Sequence, residues 1–193
     1  MIMAIDIGYT NYGCIIVKNH QIVNAGIIQT EKTKKKLTRV ADDDVYRMTQ
    51  IAQSLRNVIK SRNIRGILAE LPISGSQNAS AMKGLAMAVG VSVGLFTELQ
   101  LPIEWCTPTE VKKALTGAKN ASKDDIMKAA CKLHNWKITT KTVQGKKKPR
   151  IDNIYHVCGS RYGKGKFEHI ADAVGVYEAL KHTNTVKLLT QNP

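Results

Sequence analysis

The chain reads as an α/β protein, a mixed central β-sheet flanked by α-helices, on three observations. Short apolar runs of strand length alternate with helical patterns, the order that builds a layered α/β fold. Two of the runs end in a carboxylate: Met1 to Ile7 contains Asp6, and Ile64 to Leu71 contains Glu70. A carboxylate in a buried strand is costly unless a cation or a hydrogen-bond donor meets it. The third observation is charge, with 29 Lys+Arg against 15 Asp+Glu and a net +14. Acids at apolar addresses in so basic a chain point to a divalent metal beside bound nucleic acid.

The elements follow in order. Residues 1–30 carry three strands: Met1 to Ile7, Gly13 to Val17 and Gln21 to Gln29, the last two joined by a turn at Lys18-Asn19-His20. A basic loop occupies 31–41. A helix over about 43–61 places Val45, Met48, Ile51, Ala52, Leu55, Val58 and Ile59 on one face. Asp42, Asp43 and Asp44 are its N-terminal acids, complementing the helix dipole. Ile64 to Glu70 is a fourth strand, broken at Pro72 and a polar loop. The helix near 79–99 is rich in small residues, among them Gly84, Ala86, Ala88, Gly90 and Gly94. Such a face approaches a sheet or a symmetry mate closely. Ile103 to Cys106 is a fifth strand. Thr107-Pro108-Thr109-Glu110 is a capping box that opens a helix, and Ser122 with Asp125 opens another.

Residues 137–167 differ from the rest. They hold nine Lys/Arg against one acid, Asp152, with four glycines. They read as a pliable basic insertion in a single domain over 1–193. Its run Lys146-Lys147-Lys148-Pro149-Arg150 suits phosphate contacts, against the plainer reading of a solvated loop. A last helix over about 168–182 carries Glu168, His169 and Asp172.

Cys14, Cys106, Cys131 and Cys158 form no C-x-x-C pair, so neither a zinc ribbon nor a redox motif is indicated, and reduced thiols in a cytoplasmic setting are expected. The N-terminus reads as a strand and not a signal peptide. The longest weakly polar stretch, Leu85 to Phe96, is too short to span a membrane.

Phosphodiester hydrolysis needs an activated water and a stabilised leaving oxygen, and two cations about 3.5–4 Å apart supply both. Asp6, Glu70 and Asp172 are candidates to converge around Mg²⁺ or Mn²⁺. On the last helix Glu168 and His169 both share a face with Asp172, at i+4 and i+3, and spacing does not choose between them.

The chain resembles the RuvC family of Holliday junction resolvases, within the RNase H-like nucleases. The resemblance rests on Ile5-Asp6-Ile7-Gly8 with Thr10 and Gly13, Ala69-Glu70, and Ser80-Ala81-Met82-Lys83 with Gly90-Val91. It continues through Val111-Lys112-Lys113-Ala114-Leu115-Thr116-Gly117, Ala121-Ser122-Lys123 and His169-Ile170-Ala171-Asp172-Ala173. It implies a metal-dependent endonuclease acting as a homodimer on branched DNA, with Asp6, Glu70, His169 and Asp172 holding two ions. Lys112 and Lys123 match lysines near the scissile phosphate, and the small-residue helix matches the dimer helix. Lys113, Lys119, Ile73, Lys146, Lys147, Lys148 and Arg150 are candidate DNA contacts. Two departures stand out. No aromatic follows Glu70, leaving Ile73 as a candidate wedge. The 137–167 insertion is longer than usual, which suits forks and flaps as well as four-way junctions, a pattern that fits compact phage or viral members. A helicase partner is not legible. Two alternatives stay open: a non-catalytic branched-DNA scaffold, and an ATPase of the actin, sugar-kinase or Hsp70 type, suggested by Asp6-Ile7-Gly8-Tyr9-Thr10 but lacking a second phosphate loop.

Overall fold

The computed structural model describes residues 1–33, 38–72, 79–144 and 150–191. The first sheet has five strands: β1 (Ile2–Asp6), β2 (Asn11–Lys18), β3 (Gln21–Gln29), β4 (Gly66–Glu70) and β5 (Ile103–Cys106). Their order is β3-β2-β1-β4-β5. β1 pairs antiparallel with β2 and parallel with β4, and β5 is parallel to β4, so the sheet is mixed as expected. The β2–β3 connection is a two-residue turn with positive φ at Asn19 and His20 (50° and 62°), the hairpin geometry that matches strand twist.

Helices cover both faces, and the strand period of two decides what each receives. Met3, Ile5 and Ile67 pack with α1 (Val40–Ser61) and α2 (Ala79–Glu98). Ile2, Ala4 and Leu68 pack on the opposite side with α4 (Lys123–Leu133) and α5 (Lys164–Leu180). Continuing the alternation, Asp6 follows Ala4 and Glu70 follows Leu68 onto the α5 face.

α3 (Pro108–Thr116) and α4 begin at the two expected capping boxes, both closed reciprocally. α1 starts earlier than its pattern indicated. Its first inward turn is ionic, because Asp44 and Arg47 are buried there while Val45 is 63% exposed. The reason lies in what the turn faces. Met48, Ile51, Leu55 and Ile59 meet the apolar sheet, whereas Arg47 meets the polar β1–β2 connection.

α2 corrects the expectation that no stretch is long enough for a membrane. Its 20 residues, of mean hydropathy 1.5, suffice by length and composition. In the fold, Gly84, Ala88, Ser92, Leu95 and Phe96 are buried, and Tyr12 Oη donates to Ser92 Oγ at 3.0 Å.

Over its described residues, 137–144 and 150–167, the basic insertion is not a pliable loop. It forms a second antiparallel sheet, β6 (Lys137–Val143), β7 (Arg150–Val157) and β8 (Ser160–Gly163), in the order β6-β7-β8. Two of its glycines have structural jobs. Gly159 (φ 82°) with Cys158 (φ 46°) makes a two-residue hairpin between Val157 and Ser160, and Gly163 is the N-cap of α5. Aromatic packing seats the sheet: Tyr155 stacks on Phe167 of α5 with centroids 4.1 Å apart, and Trp136 meets the same ring edge-on. Tyr162 Oη donates to the Ala25 carbonyl of β3 at 2.9 Å. α5 therefore begins at Lys164, four residues earlier than its pattern suggested, and α6 (Asn184–Gln191) follows it.

Candidate active site

Asp6 and Glu70 sit at the carboxyl ends of adjacent parallel strands, just beyond the Ile5–Ala69 pair. That end of an α/β sheet is where ligands bind, because the chain leaves the sheet there and opens a crevice. Both carboxylates face α5, which supplies His169 and Asp172 from its second and third turns.

A glycine brings the helix this close. Gly13 is the β2 residue paired with Asp6. A Cβ on Gly13 would stand 2.1 Å from the His169 carbonyl oxygen and 2.9 Å from the His169 Cβ. With no side chain there, α5 lies directly on β2, and His169 Nδ1 reaches Asp6 Oδ2 at 2.7 Å. Both candidates that spacing left open stand at the site: His169 bonds Asp6, and Glu168 Oε1 lies 3.8 Å from His169 Nε2 and takes Lys123 Nζ at 3.2 Å.

The acids interact strongly. Burial, reinforced by the charges of Asp6 and Asp172, pushes Glu70 up to about 8, and Lys112 pulls it back. Burial and Asp6 push Asp172 up to about 7, opposed by Lys123 and His169. The bond to Asp6 raises His169 despite its burial. Three carboxylates crowd one another in low dielectric, a placement that favours bound cation or bound protons. Among the described residues no three such side chains already stand at the spacing of ligands on one ion. The acids converge without closing on one ion, and Asp6 is engaged by His169. The donor set fits a hard divalent cation: carboxylate oxygens with one imidazole.

The structure brings Asp6, Glu70, His169, Asp172, Lys112 and Lys123 together. Lys113 is exposed on α3, and Lys119 is exposed on the α3–α4 connection. Ile73, Lys146, Lys147 and Lys148 lie outside the described residues, as does the side chain of Arg150, whose backbone opens β7 opposite Val143.

Sequence reasoning missed a second cluster, behind the first. Tyr9, three residues after Asp6, has the Arg47 guanidinium 3.8 Å from its ring centre. The Gly84 backbone of α2 lies against the same ring. Its hydroxyl donates to Asp44, which also takes Lys83 Nζ at 2.6 Å. Arg47 donates to Thr10 Oγ1 at 2.6 Å and Thr30 Oγ1 at 2.9 Å. These contacts tie the turn after Asp6 to α1 and to α2, the helix that follows Glu70. The available signal was two charges, Asp44 and Arg47, at inward positions of an otherwise apolar helical stripe.

Comparison with known proteins places this geometry. The family model described as crossover junction endodeoxyribonuclease RuvC matches residues 2–145. The curated RuvC of Pseudothermotoga lettingae is 30% identical over 141 residues, covering 71% of this chain and 82% of that protein. That of Cytophaga hutchinsonii is 28% identical over 138 residues, covering 69% and 64%. The Salinibacter ruber protein is 36% identical over 90 residues, covering 46% and 50%. The chain thus spans less than two thirds of the length of the latter two. Among solved structures, T. thermophilus RuvC in complex with Holliday junction substrate shares the fold, with a TM-score of 0.62 at 16% identity over 98% of this chain and 96% of that one. The family match stops at residue 145, before β7, β8 and α5. His169 and Asp172 lie beyond the matched residues, and the His169–Asp6 bond is what sets α5 beside the two strand-end acids.

Proposed function

The chain belongs to the RuvC family of crossover junction endodeoxyribonucleases, and we propose that it is a divalent-metal-dependent, structure-selective DNA endonuclease that resolves four-way junctions as a symmetric dimer. The observation that carries this reading is the convergence of Asp6, Glu70 and Asp172 on the α5 face, with His169 bonded to Asp6 and with Lys112 and Lys123 bordering the acids.

Asp6, Glu70, Asp172 and His169 would hold the cation, Mg²⁺ or Mn²⁺ and two per site in the fullest form. Bound there, it supplies an activated water and charge stabilisation on the scissile phosphate. The residues do the rest. Without a cation, burial and mutual repulsion hold Glu70 and Asp172 raised, and a bound cation would displace their protons and leave both as carboxylate ligands. His169, held through Nδ1, orients Asp6. Lys112 and Lys123 place positive charge where the phosphate gains negative charge in the transition state, and Lys113 and Lys119 extend that field along the backbone.

The dimer reading rests on α2. Ala86, Gly90 and Gly94 lie on its exposed side, and a Cβ on Gly90 or Gly94 would meet nothing within 4 Å. That leaves a small-residue face open to a second copy, which would set two active sites against opposing strands of a junction.

The test is cleavage of a labelled immobile four-way junction, beside a matched linear duplex, in Mg²⁺ and in Mn²⁺, with Asp6→Asn as control. Paired symmetric nicks confined to the junction, and lost in Asp6→Asn, are expected. Tight junction binding with no cut in either metal would overturn the catalytic reading and leave the scaffold.

A further inference from the structure

The second sheet has an inward and an outward face, and its cross-strand register assigns them. Tyr155 stands opposite Tyr162, and with Val157 this pair faces the core, while Ile138, across from Tyr155 on β6, is exposed. The alternate set faces away from it. Its first row is Lys137–His156–Arg161, straight across all three strands, and the next is Thr139–Ile154–Gly163. A third row pairs Lys141 with Asp152.

Lys137, Lys141 and Arg161 are exposed. Thr139 Oγ1 bonds His156 Nε2 at 2.8 Å, which holds the ring in the row. Thr139, Thr140, Lys141, Ile154, His156 and Arg161 line a shallow groove of about 360 Å³. Among the described side chains of this face, three permanent cations thus stand against one carboxylate, Asp152, with hydroxyls between them and Ile154 and Val143 as apolar members. Such a face does not fit an apolar partner. It fits a regularly spaced polyanion, since strands about 4.8 Å apart spread the cations of one row over about 10 Å.

Its position supplies the rest. β8 ends at Gly163, the N-cap of α5, and His169 follows on that helix. Six residues of helix span about 9 Å, so the sheet edge and the candidate active site lie within reach of one duplex.

We infer that the outward face of β6–β7–β8, through Lys137, Lys141, Arg161 and the His156–Thr139 pair, is a docking platform for the phosphate backbone of a duplex arm flanking the cut. It rests on the nuclease reading for the identity of the nucleic acid. Strands β7 and β8 lie beyond the residues that the family model matches, and this surface supplies arm affinity separately from the chemistry.

The test compares the full-length protein with a Lys137→Ala/Lys141→Ala/Arg161→Ala variant, and with Arg161→Glu, after melting curves show that each is folded. Binding to a junction with long arms, and to one with arms trimmed to the branch, is measured across a salt series. The triple variant is expected to bind the long-armed junction about tenfold more weakly, with a log–log salt slope shallower by about 2–3. Trimmed arms should remove the difference, and the cleavage rate at saturating enzyme should stay within about twofold of wild type. Equal affinity and slope on long arms would overturn the platform, as would a loss of the same size on trimmed arms. Absence of cutting by the wild type, with the arm-dependent loss intact, would overturn the nuclease reading and leave the platform standing.

Discussion

The two sheets of this molecule present opposite solutions to binding charge. The five-stranded sheet ends in crowded, part-buried carboxylates, held against a helix by a glycine that leaves no room for a methyl group. The three-stranded sheet carries its cations in exposed rows, each separated from its neighbours by the pleat. The metal-dependent chemistry proposed for the first sheet would tolerate little misplacement, which suits candidate ligands carried on buried, close-packed backbone. Backbone recognition needs only cations at suitable intervals, so its groups remain solvated and interchangeable. The first region should fail sharply when one atom is added, and the second should weaken by degrees.

The largest effect is expected from Gly13→Ala. The added Cβ would strike the His169 carbonyl and push α5 from β2. Cleavage should fall about a hundredfold, at a stability cost of about 1–3 kcal/mol, while junction affinity is kept. Steady-state kinetics with a parallel melting curve would read both. Unchanged cleavage would show that the α5–β2 approach does not set the site.

Phe167→Ala probes the joint between the regions. Its ring is fully buried beneath Tyr155 and Trp136. Its removal should cost about 3–5 kcal/mol and lower Tm by about 10 °C for a chain of this size. Hydrogen exchange should show β6–β8 losing protection before β1 and β4; uniform loss would mean that the second sheet is seated by other contacts.

The pH dependence of stability should belong to the first region. Glu70 and Asp172 have folded pKa values raised to about 8 and about 7, so they bind more protons folded than unfolded. Stability without divalent cation should therefore fall as pH rises from about 4 towards 8. His169 is also raised: its contribution is present below about 6.5 and is lost as pH climbs through its folded value, in the same direction. Adding Mg²⁺ or Mn²⁺ at pH 8 should restore several degrees of Tm. A Tm that is flat with pH and indifferent to cation would contradict convergence of the acids.

The smallest effect on rate is expected from His169→Asp, which replaces an imidazole by a harder oxygen donor. Activity should persist, with metal preference moved towards Mg²⁺. Titrations of rate against each metal would show this, and complete loss in every metal would assign the imidazole another role.

Much of this was determined by the sequence itself. The runs ending at Asp6 and Glu70, the boxes at Thr107 and Ser122, and the hairpin at Asn19-His20 rest on interactions spanning a few residues, so local pattern suffices to place them. The parity that puts both carboxylates on one face follows from the strand period alone. Tertiary structure decided what depends on distant partners. The bond from His169 to Asp6, 163 residues away, needed the close approach that Gly13 permits. The residues 137–163, basic and glycine-containing, resemble a loop until Phe167 and Ala25 give Tyr155 and Tyr162 somewhere to bind. Burial of Asp44 and Arg47 likewise depends on what faces them, Tyr9, Thr10, Thr30 and Lys83. Periodicity records where a side chain points along its own element, whereas a charge is stabilised by what lies across from it, and that is settled only when the elements pack.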